Sequence, residues 1–128
     1  MLINFIIAII AYLILDAFWL GIFAKKFYFK GFGNMARKNE TSLKPNLLAS
    51  ILSYLILAAG MAIIVFPNAN SLDGAILYGA IYGLAVYGVY DMTNMATLKD
   101  WTWKLSVVDL LWGVIASTMV SVAGWLLI

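Results

Sequence analysis

The chain has no cysteine and no histidine, only two prolines, and few charges: 11% of its 128 residues are Asp, Glu, Lys or Arg. Each shortage excludes something. Without cysteine there are no disulfides and no thiolate chemistry, and without histidine there is neither a His-ligated haem nor an ordinary zinc site. Soluble chains carry about 25% charged residues, so this one lacks the polar surface to cover a water-facing globule. Titratable chemistry has to rest on carboxylates, tyrosines or lysines, and nothing in the composition calls for a cofactor. The net charge is only +2 and the basic residues flank apolar runs, which argues against nucleic acid as a partner.

What the chain has in abundance is apolar surface, 65% of its residues. A helix needs about 20 mostly apolar residues to cross a bilayer, and four stretches qualify: about 1–24, 46–66, 74–98 and 103–128. Pro45 stands at the first-turn position of the second stretch and Pro67 closes it. Open sheet edges are intolerable in lipid, so runs this long are helices. The length is too small to divide into two cores. The fold expected is therefore an all-α integral membrane protein, one four-transmembrane-helix bundle over residues 1–128. No basic region precedes the first apolar run, and Lys25 and Lys26 follow it, so that run is expected to stay in place as a span and not to be removed as a signal peptide.

The connections are lopsided in charge. The first, residues 25–45, carries Lys25, Lys26, Lys30, Arg37, Lys38 and Lys44; the third carries Lys99 and Lys104; the second carries no basic residue. The positive-inside rule places the first and third connections in the cytoplasm and both termini outside, in the cell's inner membrane. Phe27, Tyr28, Phe29 and Phe32 mixed with lysines read as a segment lying in the headgroup layer, with anionic lipid against Lys25, Lys26, Lys30, Arg37 and Lys38. Trp101, Trp103 and Trp125 stand near span ends, where indoles commonly settle. Ala75, Gly79 and Gly83 make a stripe of small residues that lets a neighbouring helix approach closely, and packing inside the bundle is favoured over a dimer seam.

Asp16, Asp91 and Asp109 are the informative residues, because acids inside spans are costly and face the bundle interior or a water-filled cavity. Counting along the helices from the basic connections puts all three within roughly 8 to 14 Å of the same boundary. Helical spacing gives each acid its neighbours: Tyr12 and Trp19 with Asp16, Tyr87 and Asn94 with Asp91, Ser106, Trp112 and Gly113 with Asp109. Ser50, Ser53 and Tyr54 begin at a similar depth on the second span. No Lys or Arg lies within the spans, although Lys25, Lys99 and Lys104 have stems long enough to reach in. At least one of the three acids is therefore expected to be protonated, or a cation to be present. Asp16 with Lys25 and Asp91 with Lys99 echo one another in spacing, as in two related helix pairs, a 2+2 pseudo-repeat.

The runs Leu15-Asp16-Ala17-Phe18-Trp19-Leu20-Gly21, Tyr90-Asp91-Met92-Thr93-Asn94-Met95-Ala96-Thr97-Leu98 and Asp109-Leu110-Leu111-Trp112-Gly113 resemble those of a family of small predicted bacterial membrane proteins, domain-of-unknown-function family 2177. The likeness runs over essentially the whole chain. It implies the four-helix membrane fold and carries no assigned activity. In size and helix count the chain is also similar to the small multidrug-resistance exporters, which use one intramembrane acid per subunit where this chain has three.

Three functions fit these residues. The favoured one is proton- or cation-linked transport of a small solute, with Asp16, Asp91 and Asp109 holding the proton or cation and Tyr12, Trp19, Tyr87 and Trp112 lending ring faces. Four helices make a thin wall, so this reading calls for a homo-oligomer. The second is an intramembrane enzyme acting on a lipid or isoprenoid, with the aspartates as acid and base or, with Asn94, as Mg²⁺ ligands. The third is a non-catalytic membrane subunit whose acids dock a partner's basic helix. Orientation is testable on its own: a reporter active only in the periplasm should give signal when fused after Ile128 and none when inserted at Glu40. The reverse pattern would overturn the charge argument.

Overall fold

The computed structural model describes residues 1–128 and consists of helices joined by short connections. Helix α1 is Leu2–Phe18, continued by a wider turn over Trp19–Phe23; α2 is Lys25–Phe32; α3 is Leu47–Gly60, continued through Met61–Val65 and Phe66–Asn68; α4 is Leu72–Thr97; and α5 is Trp103–Leu127. With their continuations α1, α3, α4 and α5 are long and apolar enough to cross a membrane. The fold is thus all-α, with four candidate spans and no strand. A lone antiparallel bridge, Lys38 with Leu43, closes the tip of the first connection.

Local chemistry explains where the helices start and stop. The side chains of Asn46, Ser71 and Thr102 accept from the amides of Ala49, Gly74 and Leu105 at 3.0, 3.0 and 3.1 Å, satisfying donors that a helix N-terminus leaves free. The Ser71 cap starts α4 at Leu72, two residues before the first glycine of the apolar run. Pro67 does not close its helix: it falls in the first turn of the tight segment Phe66–Asn68, where a missing amide hydrogen costs little. After Phe23 the amide of Ala24 reaches back five residues to Trp19 at 2.7 Å, and Ala24 itself leaves helical geometry at φ −113°. The chain then bends and α2 begins. Gly33, at φ +53° and ψ −130°, ends α2 in backbone geometry open essentially to glycine alone.

The spans pack in cyclic order, α1 on α3, the extension of α3 on α4, α4 on α5, and α5 back on α1. Contact between α4 and α5 runs along most of their length and is the closest in the bundle. The small-residue stripe lies here: Ala75, Gly79 and Gly83 are buried against α5. A methyl on Gly79 would meet the Ser117 carbonyl at 2.9 Å, and one on Gly83 would meet the backbone of α5 at Gly113 and at Val114 Cα, the latter at 2.8 Å. The stripe is thus spent on packing inside the bundle. Only 24 of 128 residues are buried, and the exposed large apolar side chains are dominated by Leu and Ile, so most apolar surface faces outward, as lipid requires. Three serines, Ser106, Ser117 and Ser121, are wholly enclosed. Ser121 and Ser106 donate to the backbone carbonyls of Ala75 and Asp91 at 2.7 and 3.0 Å, tying α5 to α4 where neither water nor lipid can pair those groups.

Gly83→Leu should force α4 and α5 apart. Overpacking typically costs about 1–3 kcal/mol, read as a lower unfolding midpoint in detergent, whereas Leu84→Ala on the exposed face should leave that midpoint nearly unchanged. Equal midpoints for Gly83→Leu and wild type would contradict the close approach.

Candidate functional site

The site lies at the end of the bundle that carries the basic connection and is assembled from all five helices. Asp16 on α1 is 9% exposed. One carboxylate oxygen accepts from the Tyr54 hydroxyl of α3, and the other accepts from the indole nitrogen of Trp112 on α5 at 2.9 Å. Trp112 stacks on Trp19 of α1, with centroids 4.7 Å apart and planes 9° from parallel. The Trp19 indole nitrogen donates to the Tyr28 hydroxyl at 3.1 Å, and Tyr28 donates to Asp109 of α5 at 2.8 Å. One connected path of hydrogen bonds and ring stacking thus joins Tyr54, Asp16, Trp112, Trp19, Tyr28 and Asp109.

Asp91 completes the arrangement in a different way. It is 0% exposed, its backbone carbonyl is bonded by Ser106 of α5, one turn before Asp109, and neither of its carboxyl oxygens has a hydrogen-bond donor in position. Ser106 in turn accepts from the Trp101 indole at 2.8 Å. The side chain alone is orphaned. Buried polar groups are nearly always paired, which makes this exception the most informative feature of the chain.

Of the residues that sequence spacing grouped with the acids, Trp19 and Trp112 lie in the network, each giving one face to the other ring and its nitrogen to a hydrogen bond. Tyr87 packs its ring on Gly113. Tyr12 is fully enclosed one turn deeper and bonds Ser117 at 2.6 Å. Asn94, three residues past Asp91, lies about 60° short of a full turn from it and lines a separate 350 Å³ cavity with Arg37, Tyr90 and Trp101. On α3, Tyr54 joins Asp16, but the hydroxyls of Ser50 and Ser53 turn back to their own helix. No three acidic side chains converge as a set that could hold a metal ion. The Lys104 ammonium lies over the Phe27 ring at 5.8 Å and Lys38 over Phe29 at 5.1 Å; neither is paired with an acid.

Tyr28 and Trp101 are the site residues that sequence reasoning did not single out. Both read as headgroup-layer aromatics; Tyr28 is 2% and Trp101 6% exposed, and they form a second core with Ala24 and Leu105 under the end of the bundle. The available signal was the pattern of α2, whose lysines 25, 26 and 30 stay exposed while Tyr28 turns inward. Burial first and then the neighbouring Asp109 push the Tyr28 phenol above its ordinary range, so it remains a neutral hydrogen-bond donor to Asp109.

A bundle of four helices long and apolar enough to cross a membrane defines a multi-pass membrane protein. The chain belongs to the family described as predicted membrane protein, DUF2177, whose model matches residues 1–126. No curated protein and no solved structure matches it.

Tyr28→Phe keeps the ring packing and removes the donor to Asp109. Leaving a buried acceptor short of its partner costs about 1–3 kcal/mol, so the unfolding midpoint in detergent should fall by a corresponding amount, and α2 should become more accessible to protease at Lys25 and Lys26. An unchanged midpoint and cleavage pattern would show that Tyr28 does not hold α2 in place.

Proposed function

We propose that this protein is a proton-linked membrane transporter of a small solute, in which the Asp91–Asp109 pair takes up and releases the proton. The observation that carries this reading is the Asp91 carboxyl, wholly enclosed and without a donor, facing the part of α5 that carries a second acid, Asp109. Two ionised carboxylates side by side in a low-dielectric interior repel and are poorly solvated. A single proton shared by the pair removes the repulsion and supplies the missing hydrogen bond. Acids placed this way inside spans are the usual elements of proton relays.

Tyr28 supports a proton route in particular. Its hydroxyl joins Asp109 to Trp19, on a helix that begins with Lys25 and Lys26 at the basic end of the bundle, so the pair is wired to the face that the charge asymmetry assigns to the cytoplasm. A proton is favoured over a caged cation as the pair's cargo, since Trp19 and Trp112 turn a face to each other. With four helices to the wall, a second copy of the chain completes the pathway.

Purified protein in liposomes loaded with a pH-sensitive dye should dissipate an imposed proton gradient faster than empty liposomes do. Asp91→Asn should bring the rate down to the empty-liposome level, while Asp73→Asn, in the first turn of α4 at the opposite end, should leave it intact. Wild-type rates no faster than those of empty liposomes, tested across a panel of small cationic and neutral solutes, would overturn the proposal.

A further inference from the structure

On the lipid-facing side, between α1, the start of α2 and α3, lies an open groove of about 490 Å³. Leu13 and Leu20 wall it, Asp16 and Tyr54 lie at its floor, and Lys25 and Ser42 stand at its rim. We infer that this groove binds an amphiphile with a single acyl chain, a phosphate, and a free hydroxyl on the chain side of that phosphate, drawn from the leaflet that meets the basic connection.

The groove's charges fix this chemistry by their order in depth. Lys25 follows the end of the first span and Asp16 lies nine residues earlier, inside it. A lipid seated alongside therefore meets a cation at the level of its phosphate and a carboxylate nearer its chain. The Lys25 ammonium is a compact donor suited to phosphate. It is also free for that role, in contrast to Lys38 and Lys104, which cover aromatic rings.

At the floor, Asp16 accepts from Tyr54 and Trp112. A carboxylate has roughly four lone-pair sites, so acceptor capacity remains facing the groove. What fits there is a donor below the phosphate. An ammonium headgroup extends on the water side of its phosphate and is at the wrong depth. A diacyl lipid has both glycerol oxygens esterified and nothing to donate. A monoacyl phospholipid carries a free glycerol hydroxyl at that position, and its one chain continues along Leu13 and Leu20 into the bilayer.

The volume lies within the range of small-ligand sites, about 300–1,000 Å³. The inference stands whether or not Asp91 carries a proton. It does bring the ligand to one end of the path that leads through Trp112, Trp19 and Tyr28 to Asp109.

Native mass spectrometry of the full chain, released from detergent with increasing lipid, tests it by counting bound molecules. Lysophosphatidic acid should bind singly and at least about tenfold more tightly than its 2-deoxy analogue or diacyl phosphatidic acid, the size of effect expected from one charge-stabilised hydrogen bond. Lys25→Gln should weaken binding by about tenfold, and Ala17→Leu, which fills the groove from its exposed wall, should abolish it. Lys99→Gln, on the other basic connection and outside the groove, should have no effect. Equal binding of lysophosphatidic acid and the 2-deoxy analogue would overturn the inference, as would equal losses for Lys25→Gln and Lys99→Gln, the mark of general attraction to a basic surface.

Discussion

A carboxyl group enclosed among helices and lipid has to find a hydrogen-bond donor, a counter-charge or a proton, because the cost of leaving it bare exceeds what any single apolar contact returns. This bundle meets that requirement three times, by different means. Asp16 has two donors, the Tyr54 hydroxyl and the Trp112 indole. Asp109 has Tyr28. Asp91 has no donor in position, and in the function proposed above it takes a proton shared with Asp109. The rest of the architecture at this end of the bundle follows from those needs: the stacked indoles donate to different partners, Trp112 to Asp16 and Trp19 to Tyr28, and α2 folds back so that its tyrosine can close the path.

Close packing elsewhere makes the arrangement possible. Gly79 and Gly83 bring the α4 backbone onto that of α5, and Gly113 leaves room for the Tyr87 ring. A side chain at these positions would hold α4 away from α5 and part Asp91 from Asp109. Buried serines bonded to carbonyls on the facing helix, at 2.7 and 3.0 Å, fix the register of that pair. The apolar surface drives insertion into lipid, while small residues and hydroxyls decide which helix meets which.

Much of this was legible in the sequence, for identifiable reasons. Run length and hydropathy give the four spans because the bilayer imposes its thickness on the chain. The common level of the three acids follows from counting residues back to the basic connections, since helical rise is constant. Ala75, Gly79 and Gly83 announce a tight interface, Trp19 lies at helical spacing from Asp16 and Tyr54 at its depth, whereas Trp112, spaced with Asp109 along α5, donates across the bundle to Asp16. Tyr28 and Trp101 were not legible as site residues. Their burial depends on the bend at Ala24 and on Gly33 at positive φ, which together tuck α2 beneath the bundle, and no periodicity within eight residues encodes that reversal. Asn94 illustrates the converse: three residues from Asp91, it shares the acid's side of the helix by spacing alone, and the remaining rotation is enough to turn it into a different cavity. Pro67 likewise marks a tight final turn rather than the helix end.

The central claim is that Asp91 and Asp109 share a proton, and infrared absorption of the purified protein at neutral pH tests it most directly. A band from a protonated carboxyl, sensitive to exchange into heavy water, should be present in the wild type, vanish in Asp91→Asn and persist in Asp73→Asn. A spectrum with only ionised carboxylates, identical in wild type and Asp91→Asn apart from the loss of one carboxylate, would contradict the account.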